Sequence, residues 1–134
     1  MSGCLLHVAI GLVINLENEV LVSLRPMHMA QGGLWEFPGG KLESGENSYE
    51  ALCRELKEEV NITVLTAQPF MNIHHSYDEN EVILHVWQIK EFTGHPRGLE
   101  GQEIKFVPLK KLQELSFPKP NKLIIHRLLN LAAI

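Results

Sequence analysis

The chain has 134 residues, of which 45% are hydrophobic and 21% charged, with 12 basic against 16 acidic side chains and a net charge of −4. This length fits one domain, residues 1–134, with a core large enough to fold without a disulfide or metal staple. The composition excludes disordered, collagen-like and coiled-coil classes. The acidic balance argues against a protein that coats nucleic acid, which needs a basic face. It leaves room for a small anionic substrate beside a bound cation.

No apolar run reaches the roughly 20 residues that span a bilayer, and the first residues lack the basic start and apolar run of a signal peptide. Cys4 and Cys53 are far apart and lack metal-ligand spacing, which fits a reducing compartment. These features predict a soluble cytoplasmic protein with no membrane partner.

Leu5 to Ile14 is rich in Val and Ile and reads as a buried strand. After a polar turn, Val20 to Leu24 is a second strand, and the two are expected to form a hairpin. Arg25 to Gly33 reads as a loop, and Leu34 to Phe37 is a short apolar piece running into Pro38-Gly39-Gly40. Gly45 to Val60 carries the strongest helical pattern: Leu52, Leu56 and Val60 recur every four residues. Asn47 or Ser48 is placed to cap its start, and Asn61 to take the left-handed position after its end.

Ile62 to Thr66 and Phe70 to His74 read as two strands, and Val82 to Ile89 as a strand buried on both faces. His74, His75 and His85 are read as strand residues rather than ligands. Phe92 to Gly101 is loop-like, Ile104 to Val107 a short strand, and Lys110 to Leu115 a helical turn. After a Pro-rich break, Asn121 to Leu131 is helical, with Asn121 as its N-cap. The order predicts an α/β (α+β) protein with a mixed sheet between helices.

The chemistry concentrates on the first helix. Glu55, Glu58 and Glu59 fall within roughly a 100° arc, because each helical residue advances about 100°. Glu59 borders the apolar stripe of Leu52 and Leu56. Such a run is ordinarily a solvated acidic face. Here, however, Gly39 and Gly40 deliver a bend of accessible backbone just before the helix. Crowded like charges at the edge of a buried face call for a counter-charge. Arg54 reaches Glu58 at i, i+4, and a hard divalent cation is the simplest remaining partner.

Gly40, Glu46, Arg54, Glu55, Leu56, Glu58, Glu59 and Ile62 stand at the spacing Gly-x5-Glu-x7-Arg-Glu-Leu-x-Glu-Glu-x-Asn-Ile. This resembles the signature box of the Nudix hydrolases, which act on nucleoside diphosphates linked to another moiety. One position departs, since the family usually has Gly where this chain has Asn61. Asn is the next best residue for a left-handed helix end, so the geometry is expected to survive. The resemblance extends over Leu34 to Lys41, Leu84 to Trp87, Glu100 to Gln102 and Phe117 to Asn121. It is greatest to the MutT-type branch, which hydrolyses oxidised purine nucleoside triphosphates such as 8-oxo-dGTP and so protects the nucleotide pool used in DNA replication.

The resemblance implies a Nudix fold, a mixed sheet sandwiched between helices. It implies Mg²⁺, with Mn²⁺ able to substitute, held by Glu55, Glu58, Glu59, Glu100 and the backbone carbonyl of Gly39. Arg54 would orient a catalytic glutamate, and Glu55 or Glu100 leads as general base. Arg25 and Phe37 match positions lining the nucleotide pocket, Tyr77 is a further candidate for contact with the base, and Asn121 matches the residue that reads the purine edge. No role is assigned to Glu79. The implied reaction converts a nucleoside triphosphate and water to the monophosphate and pyrophosphate, by attack at the β-phosphorus. Two alternatives stay open. One is a Nudix hydrolase of ADP-ribose, a dinucleoside polyphosphate or another triphosphate. The other is a nucleotide-binding module without catalysis. A self-sufficient chain of this size is expected to be a monomer.

Overall fold

The computed structural model describes residues 4–28 and 32–132. Among the described residues seven strands form two sheets. The first holds β1 (Leu5–Val13), β4 (Gly39–Lys41), β5 (Thr63–Tyr77) and β6 (Asn80–Thr93), in the order β4-β1-β6-β5. The second holds β2 (Glu19–Leu24), β3 (Trp35–Glu36) and β7 (Ile104–Pro108), in the order β3-β2-β7. β1 runs parallel to β6 and antiparallel to β4, so the larger sheet is mixed.

The strands' two-residue period sorts the core into two layers. Ala9 and Val13 of β1 and Ile89 of β6 face helix α1 (Ser48–Val60), packing with its Ala51, Leu52, Leu56 and Val60. Ile10 and Leu12 of β1 and Val82, Leu84 and Val86 of β6 lie in a second cluster. That cluster also takes Ile124, Ile125 and Leu128 of helix α2 (Asn121–Ala132) and Val20, Val22 and Val107 of the smaller sheet. The sheets are thus enclosed between two helices, as the resemblance implied. Among the described residues no helix is long and apolar enough to cross a membrane.

Local chemistry explains where α1 begins and ends. Asn47 accepts from the Glu50 amide at 2.8 Å, and the Glu50 side chain accepts from the Asn47 amide at 3.0 Å, a complete capping box. Asn61 follows the helix at φ 63° and ψ 36°, the left-handed conformation expected of it. Leu109–Glu114 forms a 3₁₀ turn where the sequence predicts one.

Three expectations are corrected. β1 and β2 are joined by a tight turn and one bridge, Ile14 to Val20, but they are not a hairpin; they part into different sheets. Both are buried strands, and β1 takes β6 and β4 as neighbours instead. The two strands foreseen between Ile62 and His74 are one long strand, β5. Its register shifts between Val64 and Thr66, Thr66 and Ala67, and Pro69 and Met71 break the apolar pattern. Asn121 is the first residue of α2 rather than the residue before it. Replacing Asn47 by Ala is expected to lower stability by about 1 kcal/mol. A denaturant midpoint that falls with unchanged slope is the reading that checks it.

Candidate active site

The site is built where α1 lies against β4. A Cβ added to Gly40 would fall 2.4 Å from the carboxyl carbon of Glu55, so that carboxylate occupies space any other residue would fill. A Cβ on Gly39 would fall 2.0 Å from the Ala9 carbonyl oxygen, because Gly39 is paired tightly against β1. The Gly39 amide donates to Glu59 Oε2 at 3.3 Å. The two glycines therefore serve less as a bend than as a strand thin enough to admit two carboxylates.

Arg54 ties the same region together from outside. Its guanidinium donates to Glu46 at 2.7 and 2.9 Å, to Glu55 Oε2 at 2.8 Å, to Glu58 Oε1 at 3.2 Å and to the Lys41 carbonyl at 3.0 Å. The first of these contacts holds the Glu46 carboxyl down to about 2. The partner set raises the Arg54 pKa, so its charge is secure. The expected i, i+4 contact with Glu58 is present, within a wider network that clamps α1 to β4.

Glu59 is the electrostatic centre. It is 7% exposed, and it is the one charged residue that is buried among the described residues. Burial, then the charge of Glu36, pushes its carboxyl up to about 8; the Gly39 amide opposes this, and Glu100 and Glu55 add to it. Glu36, to which the sequence analysis gave no role, sits in β3 opposite Ser23, lines the same cleft and pairs with Arg25 at 3.4 Å. Burial raises its pKa too, against the pull of Arg25.

A cleft of about 1040 Å³ is lined by Glu36, Glu55, Glu59, Glu100, Gly39 and Gly40 together with Arg25, Phe37, Lys119 and Asn121. That volume suffices for a nucleotide. Phe37 is buried and stacks on Phe117 at 5.2 Å between ring centroids. Asn121 is 8% exposed, and its side chain makes no hydrogen bond with the described residues. Glu58 is not part of the cleft lining; its side chain is 55% exposed and turned to Arg54. The side chain of Tyr77 lies outside the described part of the structure. The structure thus gathers most of the expected residues and adds Glu36 and Gln102.

The donor set suits a hard cation. Among the described residues no three acidic, histidine or cysteine groups converge on one ion position as placed. Even so, Glu55, Glu59 and Glu100 line one cleft, and carboxylate oxygens gathered there are donors of the kind a hard cation takes.

Comparison with known proteins agrees with this geometry. The family model described as a NUDIX domain matches residues 9–127. The 8-oxo-dGTP diphosphatase of Escherichia coli K12 is 33% identical over 123 residues, covering 92% of this chain and 95% of that protein. The CTP pyrophosphohydrolase of the same organism is 32% identical over 95 residues, covering 71% and 70%. A solved MutT structure, from work on Aliivibrio salmonicida and Vibrio cholerae, superposes with a TM-score of 0.84 at 34% identity. It covers 95% of this chain and 98% of that one.

The raised Glu59 carboxyl predicts a pH dependence. Between its ordinary value of 4.5 and about 8, the folded chain holds a proton that the unfolded chain releases. The stability this group contributes is full below the lower value and is lost as pH rises through the upper one. Chelator-treated protein should therefore lose stability from pH 5 to pH 8.5, and Glu59→Gln should flatten that slope. Denaturant titrations of both proteins across this range make the check.

Proposed function

The chain belongs to the Nudix family, and we propose that within it the protein works as an 8-oxo-dGTP diphosphatase, removing an oxidised purine nucleotide before it is copied into DNA. It is a hydrolase of phosphoric anhydride bonds. The observation that carries the substrate reading is a single cleft shared by the Glu55, Glu59 and Glu100 carboxylates and by Asn121, whose side-chain amide makes no hydrogen bond with the described residues.

A divalent cation, which we take to be Mg²⁺ with Mn²⁺ able to replace it, supplies charge neutralisation on the phosphate oxygens. Glu55, Glu59 and the Gly39 carbonyl would hold it. We assign Glu58 to Arg54 instead, since it stands outside the cleft lining. A general base needs an uncommitted lone pair facing the water. Glu55 is engaged by Arg54 and Glu59 by the Gly39 amide, whereas the Glu100 carboxylate has no such partner among the described residues. Glu100 therefore takes the proton as water attacks the β-phosphorus. The bond from that phosphorus to the α-phosphate oxygen breaks, releasing the monophosphate, and the new oxygen leaves in pyrophosphate.

The amide of Asn121 offers a donor NH₂ and an acceptor oxygen side by side. Its Nδ2 suits the O6 acceptor of a purine, and its Oδ1 the N7–H donor that 8-oxoguanine has and guanine lacks. With dGTP, a lone pair at N7 would face Oδ1, and a mispaired buried polar group costs about 1–3 kcal/mol. Arg25 and Phe37 line the same cleft and complete the nucleotide pocket in this reading. We assign the working form to a cytoplasmic monomer. A second reading, hydrolysis of an unoxidised nucleoside triphosphate, is favoured by the relative that acts on CTP.

Nucleotide product formation with Mg²⁺, followed by chromatography, should give a kcat/KM for 8-oxo-dGTP about 10-fold or more above those for dGTP, CTP, ADP-ribose and a dinucleoside polyphosphate. Asn121→Ala should erase most of that preference while sparing dGTP turnover. Highest activity on CTP or ADP-ribose would overturn the base-reading assignment. Glu59→Gln should lower turnover by about 10²-fold or more, and a variant with wild-type turnover would remove Glu59 from the chemistry.

A further inference from the structure

The segment carrying Glu100 has no regular structure of its own, yet it is fastened to one place, the last turn of α1. The final carbonyls of a helix have no partner within it. Here the Arg97 amide donates to the Val60 carbonyl and the Leu99 amide to the Glu59 carbonyl, each at 3.0 Å. Gln102 adds a bridge: its Nε2 donates to the same Glu59 carbonyl at 3.0 Å, and its Oε1 accepts from the Glu100 amide at 2.9 Å. Asn61 adds a tether, since its Nδ2 donates to the His95 carbonyl at 3.1 Å. A Cβ on Gly94 would fall 2.5 Å from the Asn61 carbonyl oxygen, so the segment passes directly against the helix end.

Asn61 is where the chain departs from the signature box. A glycine would take φ 63° at less cost. What it cannot supply is the side-chain donor to His95. Gln102, for its part, spans the backbone of the two residues whose carboxylates face each other in the cleft. Those carboxylates line one cleft, and their like charges repel. Left to itself an exposed loop glutamate would swing toward water.

We infer that Asn61 and Gln102 are positioning residues that hold the loop glutamate Glu100 in the nucleotide cleft beside Glu59. Asn61 sets the path of the segment at its start, and Gln102 locks the Glu100 backbone to that of Glu59. The departure from Gly is thus a use of the position, in which the left-handed cap also anchors the catalytic loop. The inference rests on the reading of Glu100 as a working carboxylate, and the test separates the two.

The variants are Asn61→Gly, which keeps the helix end and drops the donor, Gln102→Leu, Glu100→Gln, and the two doubles with Glu100→Gln. Asn61→Gly and Gln102→Leu should each lower kcat on 8-oxo-dGTP by about tenfold, the scale of a lost hydrogen bond of 1–2 kcal/mol, with KM changed less than about twofold. Amide hydrogen exchange at Arg97 and Leu99 should quicken in both. In the Glu100→Gln background the same substitutions should change kcat less than about twofold, since there is no carboxylate left to position. Unchanged kcat in both single variants, with Glu100→Gln impaired, would overturn the inference, as would losses that add in full in the doubles. Wild-type turnover in Glu100→Gln would instead overturn the reading of Glu100 itself. Should Gln102→Leu fail to fold, Asn61→Gly carries the same comparison.

Discussion

Two carboxylates are pressed against two glycines, and the site depends on that contact. The Glu55 carboxylate fills the space a side chain on Gly40 would need, and the Gly39 amide is bonded to Glu59. Only a strand without side chains lets α1 approach β4 this closely. Everything around the contact serves it. β1 pairs with β4 and fixes the glycines, while the packing of Leu52, Leu56 and Val60 fixes the pitch of α1. Arg54, bonded to Lys41 as well as to Glu46, Glu55 and Glu58, binds helix to strand on the solvent side.

The same contact has an electrostatic cost that points to its use. Arg54 satisfies the carboxylates on the outer side of the helix. On the inner side, Glu36, Glu55, Glu59 and Glu100 line one cleft, with Arg25 paired to Glu36. Glu59 answers by holding its proton far above the ordinary carboxyl range. A surface acidic face would show no such shift, because water would screen it. A bound cation would reverse the balance, favouring ionised Glu59 and turning repulsion into attraction. The fold thus gathers like charge in one cleft, where a bound cation would relieve it.

Much of this was legible in the sequence, for local reasons. The four-residue recurrence of Leu52, Leu56 and Val60 placed α1, and Asn47 and Asn61 marked its ends by their own side-chain and backbone chemistry. The alternation around Val82 to Ile89 placed the central strand. What failed was partner choice. Nothing in the pattern of Leu5 to Leu24 says that its two strands join different sheets, or that β1 pairs in parallel with β6 some seventy residues on. β5 was hidden because bulges break its period, and Pro69 is tolerated there only because β5 is an edge strand. At the site, the box glutamates were visible through their spacing. Glu36 and Gln102 were not: each stood inside a segment noted for its resemblance, but their importance comes from a pairing across strands and a bond across the helix end.

A cation site at the buried carboxyl of Glu59 is tested most directly by a calorimetric titration of Mn²⁺ into chelator-treated protein in buffers of different ionisation enthalpy at pH 7. Binding by the wild-type chain should release close to one proton, the one Glu59 holds at that pH. Glu59→Gln should bind more weakly, with no proton released. Binding of equal strength in both proteins, or wild-type binding without proton release, would contradict the account.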